Sequence, residues 1–292
     1  MWFGILCGLA ASASWAAANV FVQRSARALG TARAVVWTLI SGGLALAPIA
    51  WFSEHPTAVL DLPTMVWSAV GGLAGMLAYS CLFYATERGR LSIVIPVTSA
   101  WSVISAVISI GILGEAVKGK HLLGAGLVVA GVVVVSRFSV GAAQAAARDG
   151  DAKKRERRTL LAAAGAAVGF GVMIPAIDQV APVMGRLGAI PIVCLLSLVF
   201  GLPLALATGG SLRPPTRGAW PVVAAAGLFE MLGFIAIAYG VSRAPIAVVS
   251  PLAGLASAFT VLYAWIVLRE RPARAVLLGA ALACGGVVTL AL

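Results

Sequence analysis

Ten long apolar runs leave this chain little choice of fold. They cover residues 2–22, 33–52, 66–86, 91–113, 121–138, 159–180, 187–208, 219–241, 246–268 and 273–292. A helix needs about 20 such residues to cross the roughly 30 Å of bilayer hydrocarbon. The composition agrees, with 61% of the 292 residues hydrophobic and 11% charged, where soluble domains carry about a quarter charged. A membrane β-barrel would instead show short segments of alternating polarity, and these are absent. The expected fold class is an all-α integral membrane protein with ten transmembrane helices.

The long polar stretch "SVGAAQAAARDGDAKKRERR" separates two halves. It defines a first unit at 1–138, a basic linker at 139–158 and a second unit at 159–292. The halves correspond at a constant offset of 155 residues. Tyr84 falls on Tyr239, Arg88 on Arg243, Pro96 on Pro251 and Ser102 on Ser257. Glu115 falls on Glu270, Gly124 on Gly279, Gly131 on Gly286 and Pro48 on Pro203. Such a register identifies an internal repeat. Each repeat holds five spans, an odd number, so the second enters the bilayer from the opposite side. Inverted repeats build secondary carriers, in which a site between the two units opens alternately to either face.

A net charge of +11 raises the question of nucleic acid. The basic residues argue against it, because they sit at the ends of apolar runs as topology signals. Of the 21 Lys and Arg, all but Lys118, Lys120, Arg186 and Arg243 fall on one set of loops. The positive-inside rule assigns that set to the cytoplasm and leaves both termini outside. The basic end of the linker suits the same topogenic role or a contact with anionic lipid. Trp2, Trp51, Trp67 and Trp220 stand at span ends, as interfacial anchors do. The first run lacks a basic residue before it, and "NVFVQR" is a poor cleavage site, so it is expected to remain as the first span.

Enzymatic signatures are missing. Cys7, Cys81, Cys194 and Cys284 stand singly in different spans, without metal or redox spacing. His55 and His121 lie in or beside loops, with no ligand partners nearby. There is no HExxH, no G-x-S-x-G and no phosphate-binding Gly loop. No cofactor and no metal are expected, and any driving force must come from a gradient.

Within "AAAGLFEMLGFIAIAYG", residues 224–240, one carboxylate interrupts the apolar run. An ionised acid at the centre of a spanning helix costs roughly 2.5–3.5 kcal/mol on insertion scales. Glu230 must therefore take a proton or face a polar cavity. Either suits proton coupling or recognition of a cationic group; the alternative is a neutral Glu bonding a neighbouring helix. Its repeat counterpart is Gly75, so the site is asymmetric, and Tyr79 stands one turn beyond Gly75 on the same face. Gly227, Glu230 and Phe234 share one stripe, which suits a cavity wall or close helix packing. In the first run Ser12, Trp15, Asn19 and Gln23 form a polar stripe that lines the cavity or makes an interhelical seam. The fourth run carries Thr98, Ser102, Ser105 and Ser109 with Trp101 beside them, and the ninth repeats the theme with Ser257 and Thr260. These small hydroxylated stripes are expected to pack helices. Trp15, Asn19, Tyr79, Trp101, Glu230 and Phe234 are the candidate substrate-binding residues.

Pro96 and Pro251 lie several residues inside their spans and cannot donate to the carbonyls four residues earlier. They are candidates for hinges at two gates, or for helix-start prolines. Glu115 and Glu270 precede the fifth and tenth spans, where an acid favours the positive end of the following helix; a gating salt bridge is the second reading. Asp178, near the end of the sixth span, is interfacial or stands at an entrance.

These motifs together resemble the EamA-type, ten-helix branch of the drug/metabolite transporter superfamily. The likeness covers nearly the whole chain. It rests on "SWAAAN" (14–19), on the Pro96 and Pro251 helices, and on "LGE…LLGAGLVVAGVVVV" (113–135) echoed by "LRE…LLGAALACGGVV" (268–288). The family pattern at the first motif is W-G-x-N/S, so Ala16 departs from it. The resemblance implies a multi-pass carrier in the cell (inner) membrane that handles small organic metabolites, often amino acids or related compounds, and commonly exports them. It also marks Glu115 and Glu270 as characteristic, and it implies both termini in the cytoplasm, the reverse of the charge count. A flippase for a lipid-linked headgroup is the alternative on the same architecture, distinguished by a lateral opening between helices.

Overall fold

The computed structural model describes residues 2–53, 61–117, 119–146, 150–207 and 213–266, and beyond them 278–279, 281–282, 285–286 and 289. Glu270, His55 and Lys118 lie outside the described residues, as does most of the expected tenth span. Eleven helices occur among those described: α1 (Trp2–Leu29), α2 (Thr31–Ser53), α3 (Leu62–Arg88), α4 (Leu91–Thr98), α5 (Trp101–Gly111), α6 (Gly119–Ala146), α7 (Gly150–Met184), α8 (Arg186–Ala207), α9 (Trp220–Val241), α10 (Ile246–Gly254) and α11 (Ala256–Ile266). Seven helical segments are long and apolar enough to cross a membrane: α1, α2, α3, α4 with α5, α7, α8 and α9. Shorter apolar stretches, Leu122–Gly131 and Ile246–Thr260, lie in α6 and across α10 and α11.

Local chemistry explains where the helices stop. Gly30 between α1 and α2 has φ 80°, and Gly185 between α7 and α8 has φ 77°. Only glycine takes that conformation without strain, and the two positions are again 155 apart. At the start of α3 the Asp61 carboxylate accepts the Thr64 N–H at 3.0 Å, with a proline in the first turn. Hydrogen bonding from the Thr64 side chain, and then from its N–H, holds the Asp61 carboxyl below the usual carboxylate range.

Two expected spans are broken. The run 91–113 was expected as one helix, but it divides at Ser99 and Ala100. There the backbone tightens to bonds three residues apart, Ala100 N–H to the Val97 carbonyl and Ser102 N–H to the Ser99 carbonyl. The run 246–268 divides in the same way at Leu255, whose N–H meets the Leu252 carbonyl. Each break comes within one turn of Pro96 or Pro251, where the helical ladder already lacks a donor. The two broken helices meet at these points, since a methyl on Gly254 would press against Ser102. The stretch 139–158, expected as a linker, is helical wherever it is described, extending α6 to Ala146 and beginning α7 at Gly150. Its Ala, Lys, Arg and Glu are strong helix formers.

Packing repeats the offset of the sequence. Gly72 of α3 lies against Leu196 of α8, and Gly227 of α9 lies against Ser41 and Gly42 of α2. Gly89, at the end of α3, meets Thr159 of α7, and Gly4 of α1 meets Ala244 just past α9. In bilayers such close approach of small residues supplies the dispersion contact that holds helices together. These contacts also fix direction. Gly89 sits at the far end of α1, because its carbonyl accepts from Gln23 and Arg27. α7 therefore begins at the end where α1 finishes, and the two helices run oppositely.

Candidate functional site

Glu230 is 6% exposed and Tyr79 1%. The Tyr79 hydroxyl, delivered by α3, donates to Glu230 Oε1 at 3.3 Å, and the Trp15 indole N–H of α1 donates to the Glu230 backbone carbonyl at 3.3 Å. Trp15 is fixed further by edge-on contacts with Trp101 and Phe234, each at 5.4 Å between ring centroids. Aromatic pairs of this geometry contribute about 0.5–1.5 kcal/mol beyond burial. Gly233 makes the arrangement possible, because any side chain there would collide with the indole.

A cavity of about 40 Å³ lies beside the carboxylate, lined among others by Trp15, Asn19, Thr98, Trp101, Phe170 and Glu230. It has room for about three or four waters at about 10–15 Å³ of such volume each, and none for an organic solute. The Thr98 hydroxyl is buried and has no protein partner. A buried polar group left in that state is costly unless water or a ligand meets it.

The six expected residues are thus brought together: Trp15, Asn19, Trp101 and Glu230 at the cavity, Phe234 through Trp15, and Tyr79 through the carboxylate. Phe170 was missed, although it is the repeat counterpart of Trp15 and packs edge-on against Tyr79 at 5.2 Å. The polar stripe of α1 divides. Ser12 bonds its own helix at Leu9, and Gln23 donates to the Thr86 and Gly89 carbonyls. Gly227 faces α2 instead of the cavity. Of the α5 stripe, Ser105 pairs with Ser250 of α10 at 3.2 Å. Pro96 and Pro251 do not line the cavity, but Thr98 and Ser99 after the first and Ala256 after the second do.

Glu115 requires a correction. An acid before α6 was expected to serve the N-terminus of α6. Its carboxylate instead accepts the Ile246 N–H at 2.6 Å and the Ala247 N–H at 3.0 Å, at the start of α10 in the other half. The chain turns away from α6 at Gly114, φ 68°, and so carries the acid to the exposed amides of the opposite repeat. Below Phe234 at this same end lies a second cavity of about 20 Å³, bordered by Asp178, Arg186 and Ile246.

A larger cavity lies elsewhere among the described residues. About 630 Å³ opens between the beginning of α2, the second half of α3 and the second half of α8. Its outer end holds Thr31, Arg33, Tyr84, Glu87 and Arg88, while Val36, Leu39, Met76, Tyr79 and Leu198 line its length. Arg88 pairs with Glu87 at 3.0 Å and lies 4.0 Å above the Tyr84 ring. Glu87 also accepts from the Thr31 hydroxyl and, at 2.9 Å, from the Thr31 N–H. Nothing in the sequence pattern drew these residues together, because they come from two helix ends more than 50 residues apart, the start of α2 and the end of α3.

Comparison with known proteins gives two findings. The model of the EamA-like transporter family matches residues 2–137 and matches again over 157–292. A solved structure described only as a crystal structure of a protein is similar with a TM-score of 0.73 at 22% identity, over 98% of this chain and 94% of the other. At that identity the likeness speaks for the fold.

Proposed function

The chain belongs to the EamA-like transporter family, a family of membrane transporters of small molecules, and from that premise we propose a secondary carrier that exports small organic metabolites, such as amino acids or related compounds, across the cell (inner) membrane. Ten spans form two inverted five-helix units, 1–138 and 159–292, joined by the basic stretch 139–158. The carrier works by alternating access about the cavity at Glu230.

The observation that carries this reading is the environment of Glu230. A carboxylate deep in a spanning helix faces a cavity, with a tyrosine hydroxyl on one oxygen and aromatic rings around it. Tryptophan and tyrosine faces attract cations, so this surrounding supports a cargo with an amine or other cationic group. The carboxylate binds that group or a proton, in alternation, and neither leaves a bare charge in hydrocarbon. Trp15, Asn19, Trp101 and Phe234 shape the binding chamber, and Tyr79 orients the acid. The present cavity is too small for cargo, so loading requires α1, α9 and the broken helices to part. The segment breaks beside Pro96 and Pro251 supply the hinges, and Glu115 latches one end shut on α10.

The test is uptake of a metabolite panel into proteoliposomes with and without a pH gradient, comparing the wild type with Glu230→Gln. The variant has no carboxylate for either the proton or the cationic group, so it should lose gradient-driven accumulation and exchange of cargo for cargo together. Unchanged accumulation would reject proton coupling at this residue.

A further inference from the structure

The 630 Å³ groove between α2, α3 and α8 meets the chamber at Glu230 only through Tyr79, and it has a chemistry of its own. Two arginines, Arg33 and Arg88, and one acid, Glu87, stand at its outer end, leaving one positive charge in excess. Arg33 is held in place by the Arg213 and Pro214 carbonyls, at 3.2 and 3.0 Å, which are neutral acceptors. The inner wall is a different surface, lined by Val36, Leu39, Met76, Leu198 and Gly201. From Arg88 to Met76 along α3 the groove runs about 18 Å at 1.5 Å per residue. One leaflet of hydrocarbon is about 15 Å deep.

Position decides what fills such a groove. α2 and α8 are the least buried of the seven candidate spans, at 33% and 28% of their apolar windows, so the groove lies among the helices that meet lipid most. Leu204, on its border, is 49% exposed. The charged end is the end of the molecule where α1 and α3 finish and α7 begins, which carries Arg24, Arg27 and the basic run 153–158. Anionic headgroups gather against such residues. A soluble metabolite would not need 18 Å of apolar wall, and a neutral lipid would not need the arginines.

We infer that this groove is a binding site for one anionic phospholipid of the leaflet on the basic side, with the phosphate at Arg33 and Arg88 and an acyl chain lying past Tyr79 along Met76, Leu39 and Gly201. The two sites share Tyr79, but the lipid assignment does not rest on the cargo proposed for Glu230.

The experiment uses the full chain in mild detergent, incubated with phosphatidylglycerol or with phosphatidylcholine of the same acyl chains, and counts retained lipid by native mass spectrometry. Phosphatidylglycerol should be retained about fivefold more strongly, the effect of roughly one basic residue near an anionic lipid. Arg33→Gln with Arg88→Gln should bring the two lipids to parity, and Arg33→Lys with Arg88→Lys should restore the preference. Gly201→Phe keeps both arginines and fills the groove, since a side chain there grows out beside Met76; it should lower retention of both lipids. Glycerol phosphate alone should not compete. Equal retention of both lipids by the wild type would overturn the site, as would a preference unaffected by the glutamine pair or by Gly201→Phe. Competition by glycerol phosphate as strong as by the lipid would also overturn it, in favour of a soluble anion.

Discussion

α3 and α9 hold corresponding places in the two copies of the repeat, and they differ most where they matter most. On α9 the position is Glu230, which borders a cavity and meets Tyr79. On α3 it is Gly75, where any side chain would strike Ser197 and crowd Met173. The neighbouring contacts are alike, with Gly72 against α8 and Gly227 against α2. A duplicated scaffold has therefore kept its packing on both sides and put its ionisable group on one. Tyr79, one turn from Gly75, is the contribution of α3 to the acid of α9.

That asymmetry can be broken at either end. The largest effect is expected from Glu230→Gln, which should reduce gradient-driven accumulation to the level of empty liposomes while the protein remains folded. If it does not, the two helices are functionally equivalent and the comparison fails. Next is Gly75→Ala, which should cost about 1–3 kcal/mol by overpacking and lower the Tm of the solubilised protein. Gly43→Ala is the control, because nothing lies within 4 Å of a methyl there, and its effect should stay within about 0.5 kcal/mol. Equal losses would mean that Gly75 is not the tighter site. Glu115→Ala leaves two amides of α10 without their carboxylate and should cost about 0.5–2 kcal/mol, again read as Tm. Tyr79→Phe removes one hydrogen bond from Glu230, worth about 0.5–1.5 kcal/mol. It should weaken gradient-driven uptake less than the change at Glu230 itself, which sharpens the division of labour between the helices.

Much of this was legible in the residues. The spans are dictated by hydrocarbon, which tolerates little besides apolar helix, and the runs beginning at 2, 33, 66, 159, 187 and 219 each correspond to one helix. The repeat was legible because gaps had not blurred its register, and Glu230 because an acid in such a run is expensive. Other features depend on contacts between distant segments. The breaks at Ser99 and Leu255 come within a turn after Pro96 and Pro251, but a proline alone does not fix which turn tightens. Glu115 has the composition of a local cap, but its partner lies 131 residues away. The inner wall of the groove between α2, α3 and α8 is built from ordinary leucine, valine and methionine, and its charged end brings Arg33 to Glu87 and Arg88 from another helix.

The Glu115 carboxylate joins an early segment to a late one, and α1 and α3 lie against α9 and α7 in the same interleaved way. This has a consequence for biogenesis. When the first five segments leave the ribosome, the surfaces they are shaped for have not yet been synthesised, so their glycine faces must wait in the lipid uncovered. Maturation is then a late, concerted event, and a chain truncated after its midpoint would expose its seams to quality-control proteases.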